Sequence, residues 1–217
     1  MTDATTMHEA ESHKIMSMGK NKRERVISAS LSEFAKGYAS ANTDEIVKQA
    51  GISKGLLFHY FGSKKGLFLF LLEHAQRIAN AKFETVPIES GDFINNIRIA
   101  SKLSAEFSFE QPLVSAFLVK AIFSLQEVFP EGLPDDVPDF KSNIRLTRIM
   151  SYVDTSLFKT DIDIEKAKNI ALWTMKGFND KLLAHGSNIE SYKIHYDQMM
   201  EELEGYLQLL RKLLYKN

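Results

Sequence analysis

TDEIVKQAGISKGLLFHYFGSKKGL occupies positions 43–67 and holds two short apolar-periodic segments on either side of Gly51. A tight turn at a glycine between two short helices is the pattern of a helix-turn-helix. In that motif the second helix lies in the major groove of DNA while the first helix crosses the backbone. The stretch therefore predicts a DNA-binding motif in which residues 53–61 contact the bases.

Polar residues are placed to begin each of these helices. Asn42 with Glu45 three residues later has the form of a capping box, although Thr43 competes with Asn42 for the capping role. Ser53 precedes the second helix, and Ser63 precedes a longer one. We therefore expect helix boundaries at these positions.

Helical spacing of apolar residues continues through the rest of the chain, without an alternating strand pattern. The sequence therefore predicts an all-α protein, with an N-terminal three-helix DNA-binding domain followed by a larger helical ligand-binding and dimerisation domain. About nine helices are expected, namely one from Lys20 that ends before Gly37, the two of the motif, and others carrying Leu67–Ile78, Phe93–Phe107, Pro112–Val128, Asp139–Phe158, Asp163–His185 and Tyr192–Leu213.

Positive charge concentrates in the first third of the chain. Positions 14–65 hold ten Lys/Arg and four Asp/Glu, whereas from position 66 onward 17 Lys/Arg face 21 Asp/Glu. A polyanion could use the basic region, although a solvated basic face is the alternative. We expect a flexible arm at 1–19, a DNA-binding domain at 20–66, and an effector-binding and dimerisation domain at 67–217.

The composition also excludes several kinds of functional site and cellular location. Cysteine is absent, which excludes disulfides, thiolate metal sites and cysteine nucleophiles and fits a reducing compartment. The N-terminus lacks the apolar segment of a secretory signal, and the longest fully apolar run, Leu67–Leu72, is far shorter than the roughly 20 residues that cross a bilayer. We expect a cytoplasmic protein without a membrane partner.

Lys54, Lys64 and Lys65 stand in the first turns of predicted helices, where a cation opposes the helix dipole. A docked phosphate would reverse the sign of this interaction, because free helix N–H groups and a lysine bind an anion together. DNA supplies such phosphates. The alternative is that these lysines are merely tolerated at the surface.

His59 and Tyr60 point away from the face that Leu57 and Phe61 share on the predicted second helix. Polar aromatic side chains on a basic helix suit contacts to phosphates and base edges. The alternative makes His59 a surface histidine and Tyr60 a partly buried packing residue.

This region resembles the DNA-binding region of the TetR (tetracycline repressor) family of bacterial transcriptional regulators. The specific motif covers about 50 residues, roughly Lys22 to Glu73. The resemblance rests on Thr43, Ile46, Ala50-Gly51, the run Ile52–Phe61, Ser63-Lys64 and Leu67.

The resemblance implies DNA contacts by seven residues and departs from the family pattern at two. Leu56 stands where a small or hydroxyl residue is usual, and Phe58 stands where tyrosine is usual. The operator sequence therefore cannot be borrowed from the family. Phosphate contacts are implied for Thr43, Tyr60 and Lys64, and backbone or base contacts for Ser53, Lys54, Gly55 and His59.

Paired operator half-sites call for a two-fold dimer. The last helix carries an apolar stripe with heptad spacing, which predicts a helical partner. The resemblance also implies a four-helix bundle of the last two helices across the dyad, whereas an intramolecular core is the alternative. The expected interface residues are Ile164, Phe178, Leu182, Tyr196, Met199, Leu203, Tyr206 and Leu210.

Aromatic and methionine residues of the body are numerous enough to line an apolar cavity, although most would serve equally as core. The resemblance implies a small-molecule effector that releases a repressor from a palindromic operator. The residue types favour a hydrophobic or aromatic effector, and we assign no contact residues, cofactor or metal. The residues concerned are Phe107, Phe109, Phe117, Phe123, Phe140, Met150, Tyr152, Phe158, Trp173 and Met175.

Two other classes compete with this interpretation. An enzyme could assemble His74, His185 and His195 with scattered carboxylates, but none lies in an HExxH, GxSxG or P-loop pattern, so we expect no catalytic residue. A helical ligand-binding or interaction protein with a non-functional helix-turn-helix is the second alternative, which the departures at Leu56 and Phe58 keep open.

Overall fold

The protein is all-helical, as the periodicity predicts. The computed structural model describes residues 15, 17–84, 91–132, 153–184 and 189–216, with 179–184 and 189–195 described by their backbone alone. Eight helices occur in these ranges: α1 (Lys20–Phe34), α2 (Thr43–Ala50), α3 (Lys54–Phe61), α4 (Lys64–Glu84), α5 (Phe93–Glu110), α6 (Pro112–Val128), α7 (Ile164–Ala184) and α8 (Ile189–Leu214).

The described helices belong to two compact units. The first unit spans positions 1–81 and 111–141, and therefore contains α1, α2, α3, most of α4, and α6. The second unit spans 82–110 and 142–217, and contains α5, α7 and α8. None of the helices in the described part of the chain combines the length and apolar character that crossing a bilayer requires.

The residues just before α1 belong to the core of the first unit. Ile15 and Met18 are 2% and 3% exposed, and the Met18 amide donates a hydrogen bond to the Ile15 carbonyl at 3.0 Å. Ile15 and Met18 of the expected flexible arm are therefore packed, because apolar side chains gain by burial.

An aromatic cluster holds the first unit together. The Phe68 ring of α4 lies 5.5 Å from Phe34 of α1, 5.7 Å from Phe117 of α6, and 5.3 Å from Tyr38, measured between centroids. Phe34, Phe68 and Phe117 are fully buried, and aromatic pairs at these spacings add to the free energy of area burial. The Tyr38 amide also donates to Ser124 Oγ of α6 at 3.1 Å.

The junction between α1 and α2 is built around a buried carboxylate. Glu33 is 1% exposed, and it accepts hydrogen bonds from the Lys36 ammonium and from the Asn42 amide, the latter at 3.2 Å. Burial by itself raises the pKa of Glu33, but these two donors outweigh it and hold the pKa below its ordinary value. The folded protein therefore keeps this carboxylate charged.

Asn42 caps α2, but the capping box is only half formed. Its side-chain oxygen accepts from the Asp44 amide at 2.8 Å, so Asn42 and not Thr43 is the cap. In a reciprocal capping box, Glu45 would accept a hydrogen bond from the Asn42 amide. Here Glu33 accepts that hydrogen bond instead. Glu45 instead lies 3.6 Å from the Lys48 ammonium.

The core of the second unit packs α5 against α7 and α8. It contains fully buried side chains from all three helices, together with Phe158 and Tyr215 from the segments that flank α7 and α8. Those two residues form an isolated antiparallel β-bridge, with Lys159 N–H donating to Leu214 O and Lys216 N–H donating to Leu157 O, each at 2.9 Å. The chain end is therefore fixed to the segment before α7.

Asp92 connects the start of α5 to the end of α8. Its carboxylate accepts from the Asn95 amide at 3.0 Å, from the Tyr215 hydroxyl at 3.2 Å, and from the Arg211 guanidinium. Burial raises the pKa of the Asp92 carboxyl, but these donors outweigh it and leave the pKa lowered. Burial also raises the pKa of Tyr215 to about 12, so the phenol keeps the proton that it donates.

The helix expected at Asp139–Phe158 is wrong at its C-terminal end. Thr155–Leu157 form a 3₁₀ turn, capped by Asp154 whose carboxylate accepts from the Ser156 amide at 2.9 Å. Asp154 and Ser156 offer the backbone local hydrogen bonds that compete with a helix. The remainder of that expected helix, including Phe140, Met150 and Tyr152, lies outside the described residues.

Replacing Glu33 with Gln should lower the unfolding free energy at neutral pH by about 1–3 kcal/mol, because the buried site loses its charge and its pairing with Lys36. A carboxyl whose folded pKa is lowered stabilises above its unfolded pKa and ceases to do so as the pH falls through the folded pKa. The stability difference between wild type and Glu33→Gln should therefore shrink as the pH falls from about 7 to below about 4.

Chemical unfolding of both proteins at the two pH values measures this difference. Glu24→Gln, which changes an exposed residue of the same helix, is the matched control and should have little effect. A difference that is equally large at both pH values would contradict the assigned role of the Glu33 carboxylate.

Candidate nucleic-acid interface

The turn between α2 and α3 depends on Gly51. Gly51 has a φ of 66° and a ψ of 43°, the left-handed conformation that favours glycine. The Gly51 amide donates to Lys48 O at 3.3 Å and the Ile52 amide donates to Val47 O at 3.0 Å, which together form a Schellman motif. This motif satisfies the last carbonyls of α2 and redirects the chain within one residue.

Ser53 begins α3 in an extended conformation. Its hydroxyl oxygen accepts from the Leu56 amide at 3.2 Å, as the sequence predicts for a cap. The α2 end of the turn is also tied to α1, because Arg25 Nε donates to Ala50 O at 3.0 Å. A cation at a helix C-terminus is favourable, so Arg25 both caps α2 and fixes it against α1.

The two faces of α3 differ sharply in exposure. Leu57 and Phe61 are 0% and 3% exposed and form the buried face. Gly55 and His59, also four residues apart, lie on the opposite face and are exposed. The helix is therefore anchored along one side and presents the other side to solvent.

Lys54 at the start of α3 is paired with Asp44 of α2. The ammonium lies 2.8 Å from Asp44 Oδ1 and 3.0 Å from Oδ2, with side-chain exposures of 51% and 65%. The carboxylate offsets the unfavourable position of a cation in the first turn of a helix. This lysine is thus held by a neighbour before any phosphate is bound.

The connection between α3 and α4 is unusually close. Ser63 caps α4, with its hydroxyl oxygen accepting from the Gly66 amide at 3.0 Å. A Cβ placed on Gly66 would lie 2.1 Å from the Phe61 carbonyl oxygen, which is backbone and cannot rotate away. Gly66 therefore permits the first turn of α4 to press on the last residue of α3.

Lys64 and Lys65 also have partners within the protein. The Lys64 ammonium donates to Ala39 O at 3.3 Å and lies 4.9 Å from the centroid of the Tyr38 ring. The Lys65 ammonium lies 4.1 Å from the centroid of Phe129. These carbonyl and cation–π contacts explain the two lysines without DNA, so their position in a helix first turn is weaker support for phosphate binding than the sequence suggests.

The remaining residues of the expected contact set lie on the same three elements. Thr43 is the first residue of α2 and is half-buried, and Tyr60 is half-buried with its ring 5.3 Å from that of His59 in an edge-on arrangement. The first turns of α2 and α4 and the helix α3 with its cap therefore carry all seven residues, which are Thr43, Ser53, Lys54, Gly55, His59, Tyr60 and Lys64.

Sequence reasoning missed the residues that position this surface. Arg25, Glu33 and Asp44 are charged residues in helices, and a single sequence does not tell whether such a residue is solvated or bonded. Gly66 did leave a signal, because a glycine inside the first turn of a helix is unfavourable unless backbone approaches closely.

The residues expected at a dimer interface are mostly occupied inside the second unit. Phe178, Leu203 and Leu210 are 7%, 2% and 5% exposed in the protomer core, and a buried side chain cannot add area to an interface. Ile164, Tyr196 and Met199 are half-buried, Tyr206 is exposed, and the Leu182 side chain lies outside the described residues. Leu203 and Leu210 of the heptad stripe thus lie in an intramolecular seam, which revises the expected interface, whereas Tyr206 of the same stripe remains exposed.

The exposed apolar side chains of the second unit lie beside that seam. Trp173 is 68% exposed and Leu213 is 55% exposed. Further exposed apolar side chains lie three or four residues from them on α7 and α8. We call this the α7–α8 apolar face, defined by Ile170, Trp173, Tyr206, Leu209 and Leu213.

The aromatic residues considered for a ligand cavity do not form one set. Phe117 is in the core of the first unit, whereas Phe107, Phe158 and Met175 are buried in the second. Phe109 lies 5.1 Å from Tyr196 between ring centroids, and Phe123 and Trp173 are exposed at 70% and 68%. Aromatic content alone therefore does not assign an effector site.

Residues 26–71 match the sequence profile of a family described as bacterial regulatory proteins, tetR family. This range includes α2, α3 and the close connection to α4. The DNA-binding region of the chain is therefore similar to that of the TetR family of bacterial regulatory proteins. The two departures of this chain from the family pattern, Leu56 and Phe58, are both half-buried, so their apolar side chains gain packing where the usual residues would be polar.

Comparison with individual proteins extends this TetR likeness beyond the DNA-binding motif. The chain is 23% identical over 171 residues to YdgC, an uncharacterised HTH-type transcriptional regulator of Bacillus subtilis, covering 78% of this chain and 85% of that protein. A TetR family transcriptional regulator from Chloroflexus aurantiacus has a TM-score of 0.71 at 18% identity, covering 94% and 98%.

A third similar structure is CprB, a TetR family protein of Streptomyces coelicolor in complex with its biological operator sequence. It has a TM-score of 0.50 at 23% identity, covering 69% of this chain and 74% of that chain. These structural likenesses support the all-helical TetR fold.

Gly66→Ala should destabilise the protein, whereas Gly55→Ala should not. Gly66→Ala forces backbone apart at the α3–α4 connection and should cost about 1–3 kcal/mol or more, since overpacking against backbone is poorly relieved. Gly55 has no described atom within 4 Å of an added Cβ, so alanine should be neutral or stabilise by up to about 1 kcal/mol. Thermal melting measures both, and equal melting temperatures for the two variants would contradict the close connection.

Proposed function

We propose that the chain is a sequence-specific DNA-binding transcriptional regulator that represses from a palindromic operator and is released by a small-molecule effector. The observation that carries this proposal is the exposed outer face of α3, where Gly55 and His59 lie opposite the buried Leu57 and Phe61. A helix anchored on one side and free on the other can enter the major groove.

The contact residues divide by the kind of DNA group that they would meet. Thr43 at the start of α2, Tyr60 near the end of α3 and Lys64 at the start of α4 would meet phosphates, which position the protein on the duplex. Ser53, Lys54 and His59, at the start and on the outer face of α3, would meet base edges or backbone. Gly55 lacks a side chain on that outer face, which would let the helix approach the bases closely.

We further propose that two copies associate through the α7–α8 apolar face. Five large apolar side chains are exposed there at helical spacing on two helices, and large exposed apolar patches mark interaction sites. A second copy is the occupant that a palindromic operator requires, because each protomer contributes one recognition helix to one of the two half-sites. Two helices from each copy would then form a four-helix interface.

The remaining assignments follow from the same proposal. Residues 20–66 would form the DNA-binding domain and 67–217 the effector-binding and dimerisation domain. The effector is expected to be hydrophobic or aromatic, and to lower operator affinity by favouring a second arrangement of the body. A regulator of bacterial genes would act in the cytoplasm, where the DNA is.

Selection from a randomised duplex library by the wild-type protein should yield a sequence with two related half-sites. Fluorescence anisotropy should then show that the selected duplex is bound more tightly than a shuffled one by about 10³ or more. A selection that enriches no sequence would contradict the proposed function.

Single substitutions should separate base contacts from phosphate contacts on the selected duplex. His59→Ala and Gly55→Ala should each cost about 1–3 kcal/mol of binding and reduce the preference over the shuffled duplex. Lys64→Ala should weaken binding to both duplexes by the same factor. It should also make the slope of log affinity against log salt concentration shallower, by about the amount that one phosphate contact contributes.

Lys102→Ala, which removes an exposed lysine of α5, is the control and should leave both affinities unchanged. Loss of preference in Lys64→Ala, with none in His59→Ala and Gly55→Ala, would show that the roles are assigned to the wrong residues.

Trp173→Glu combined with Leu209→Glu should convert the dimer into a monomer, because two charges would be buried at the interface. Phe123→Glu is the matched control, since Phe123 is 70% exposed but belongs to the first unit. Sedimentation velocity reports the mass of each variant. A dimer that survives in the double variant would place the interface elsewhere.

A further inference from the structure

The Asp44–Lys54 pair stands out because it joins a recognition residue to a negative charge on the other helix of the motif. Both carboxylate oxygens lie within 3.0 Å of the ammonium, and the two side chains are more than half exposed. The Asp44 backbone is fixed independently, since its amide donates to the Asn42 cap at 2.8 Å. The backbone position from which the Asp44 side chain reaches Lys54 is therefore fixed.

The direct contact between these two charges contributes little to stability. Exposed ion pairs contribute little to the folded state, because solvent screens the charges and ordering a long side chain costs entropy. A carboxylate on a surface that faces a polyanion also repels it. The position of Asp44 therefore opposes DNA binding in general unless its effect on Lys54 compensates.

We propose that Asp44 is a specificity-determining residue that positions Lys54 for base contact and penalises binding to the wrong sequence, an inference that rests on the proposed DNA-reading function. The geometry behind it is the contact of both Asp44 oxygens with the Lys54 ammonium across the α2–α3 turn.

The proposed effect arises from the choice open to Lys54. On the correct sequence, Lys54 contacts a base acceptor while Asp44 still restricts the conformations of its side chain. Because that side chain is already restricted before binding, less conformational entropy is lost on binding. On an incorrect sequence, Lys54 gains a contact only by turning to a phosphate, which leaves the Asp44 carboxylate unpaired beside the backbone. Discrimination thus comes from a repulsive element as well as an attractive one.

Asp44→Asn and Glu45→Gln provide a matched comparison. Each removes one negative charge from the first turn of α2 and keeps the side-chain size, but only Asp44 contacts Lys54, whereas Glu45 lies near Lys48. The probes are the duplex selected by the wild type and its shuffled counterpart, titrated by anisotropy at two salt concentrations. Thermal melting checks that both variants are folded.

Asp44→Asn should bind the shuffled duplex about threefold more tightly and should lose about three- to tenfold of its preference for the selected duplex. Glu45→Gln should shift both affinities by the same factor and keep the preference. Asp44→Glu, which restores the carboxylate, should recover part of the lost preference.

Two results would overturn the proposal in distinguishable ways. If the wild type prefers its selected duplex but Asp44→Asn and Glu45→Gln change that preference equally, Asp44 acts only as a charge and the inference fails alone. If the wild type shows no preference for any selected duplex, the proposed function fails and the inference fails with it.

Discussion

The shortness of α2 and α3 is the constraint from which the rest of the first unit follows. Each has eight residues, well below the roughly 12–15 that an isolated helix needs to be even marginally stable in water. Both must therefore be held by burial, and Ile46, Ala50, Leu57 and Phe61 are each at most 3% exposed. Burial of one face leaves the other face free to meet a ligand.

Three junctions fix the direction of the exposed face, and each uses different chemistry. The buried carboxylate of Glu33 accepts a hydrogen bond from the amide of Asn42, the cap of α2. Arg25 donates a hydrogen bond to the carbonyl of Ala50, the last residue of α2. Gly51 turns the chain through a left-handed conformation, and Gly66 lets α4 press on the end of α3. Because these contacts are rigid and short, the orientation of α3 is set by the fold before DNA is present.

Local signals in the sequence were sufficient for the helices and their caps. Asn42, Ser53 and Pro112 each begin a helix where the pattern places one, because capping and proline preferences act over a few residues. The role of Glu33 could not be foreseen in this way. Its partner is an amide nine residues further along the chain, and only the folded junction brings the two together.

The partners of the α8 stripe and of Lys64 could not be predicted from sequence for the same reason. Heptad spacing on α8 correctly marks an apolar stripe but does not say which helix covers it, and in the protein Leu203 and Leu210 face the core of their own unit. Lys64 likewise has the position expected of a phosphate ligand, yet it already contacts the Tyr38 ring and the Ala39 carbonyl. Periodicity and dipole arguments identify a feature, whereas only packing identifies its partner.

Hydrogen–deuterium exchange of the protein, free and bound to its selected duplex, tests the central claim that the outer face of α3 reads DNA. The account predicts slower amide exchange in peptides that cover the first turn of α2, all of α3, and the first turn of α4. Tight and selective binding that leaves exchange in these three segments unchanged would contradict it.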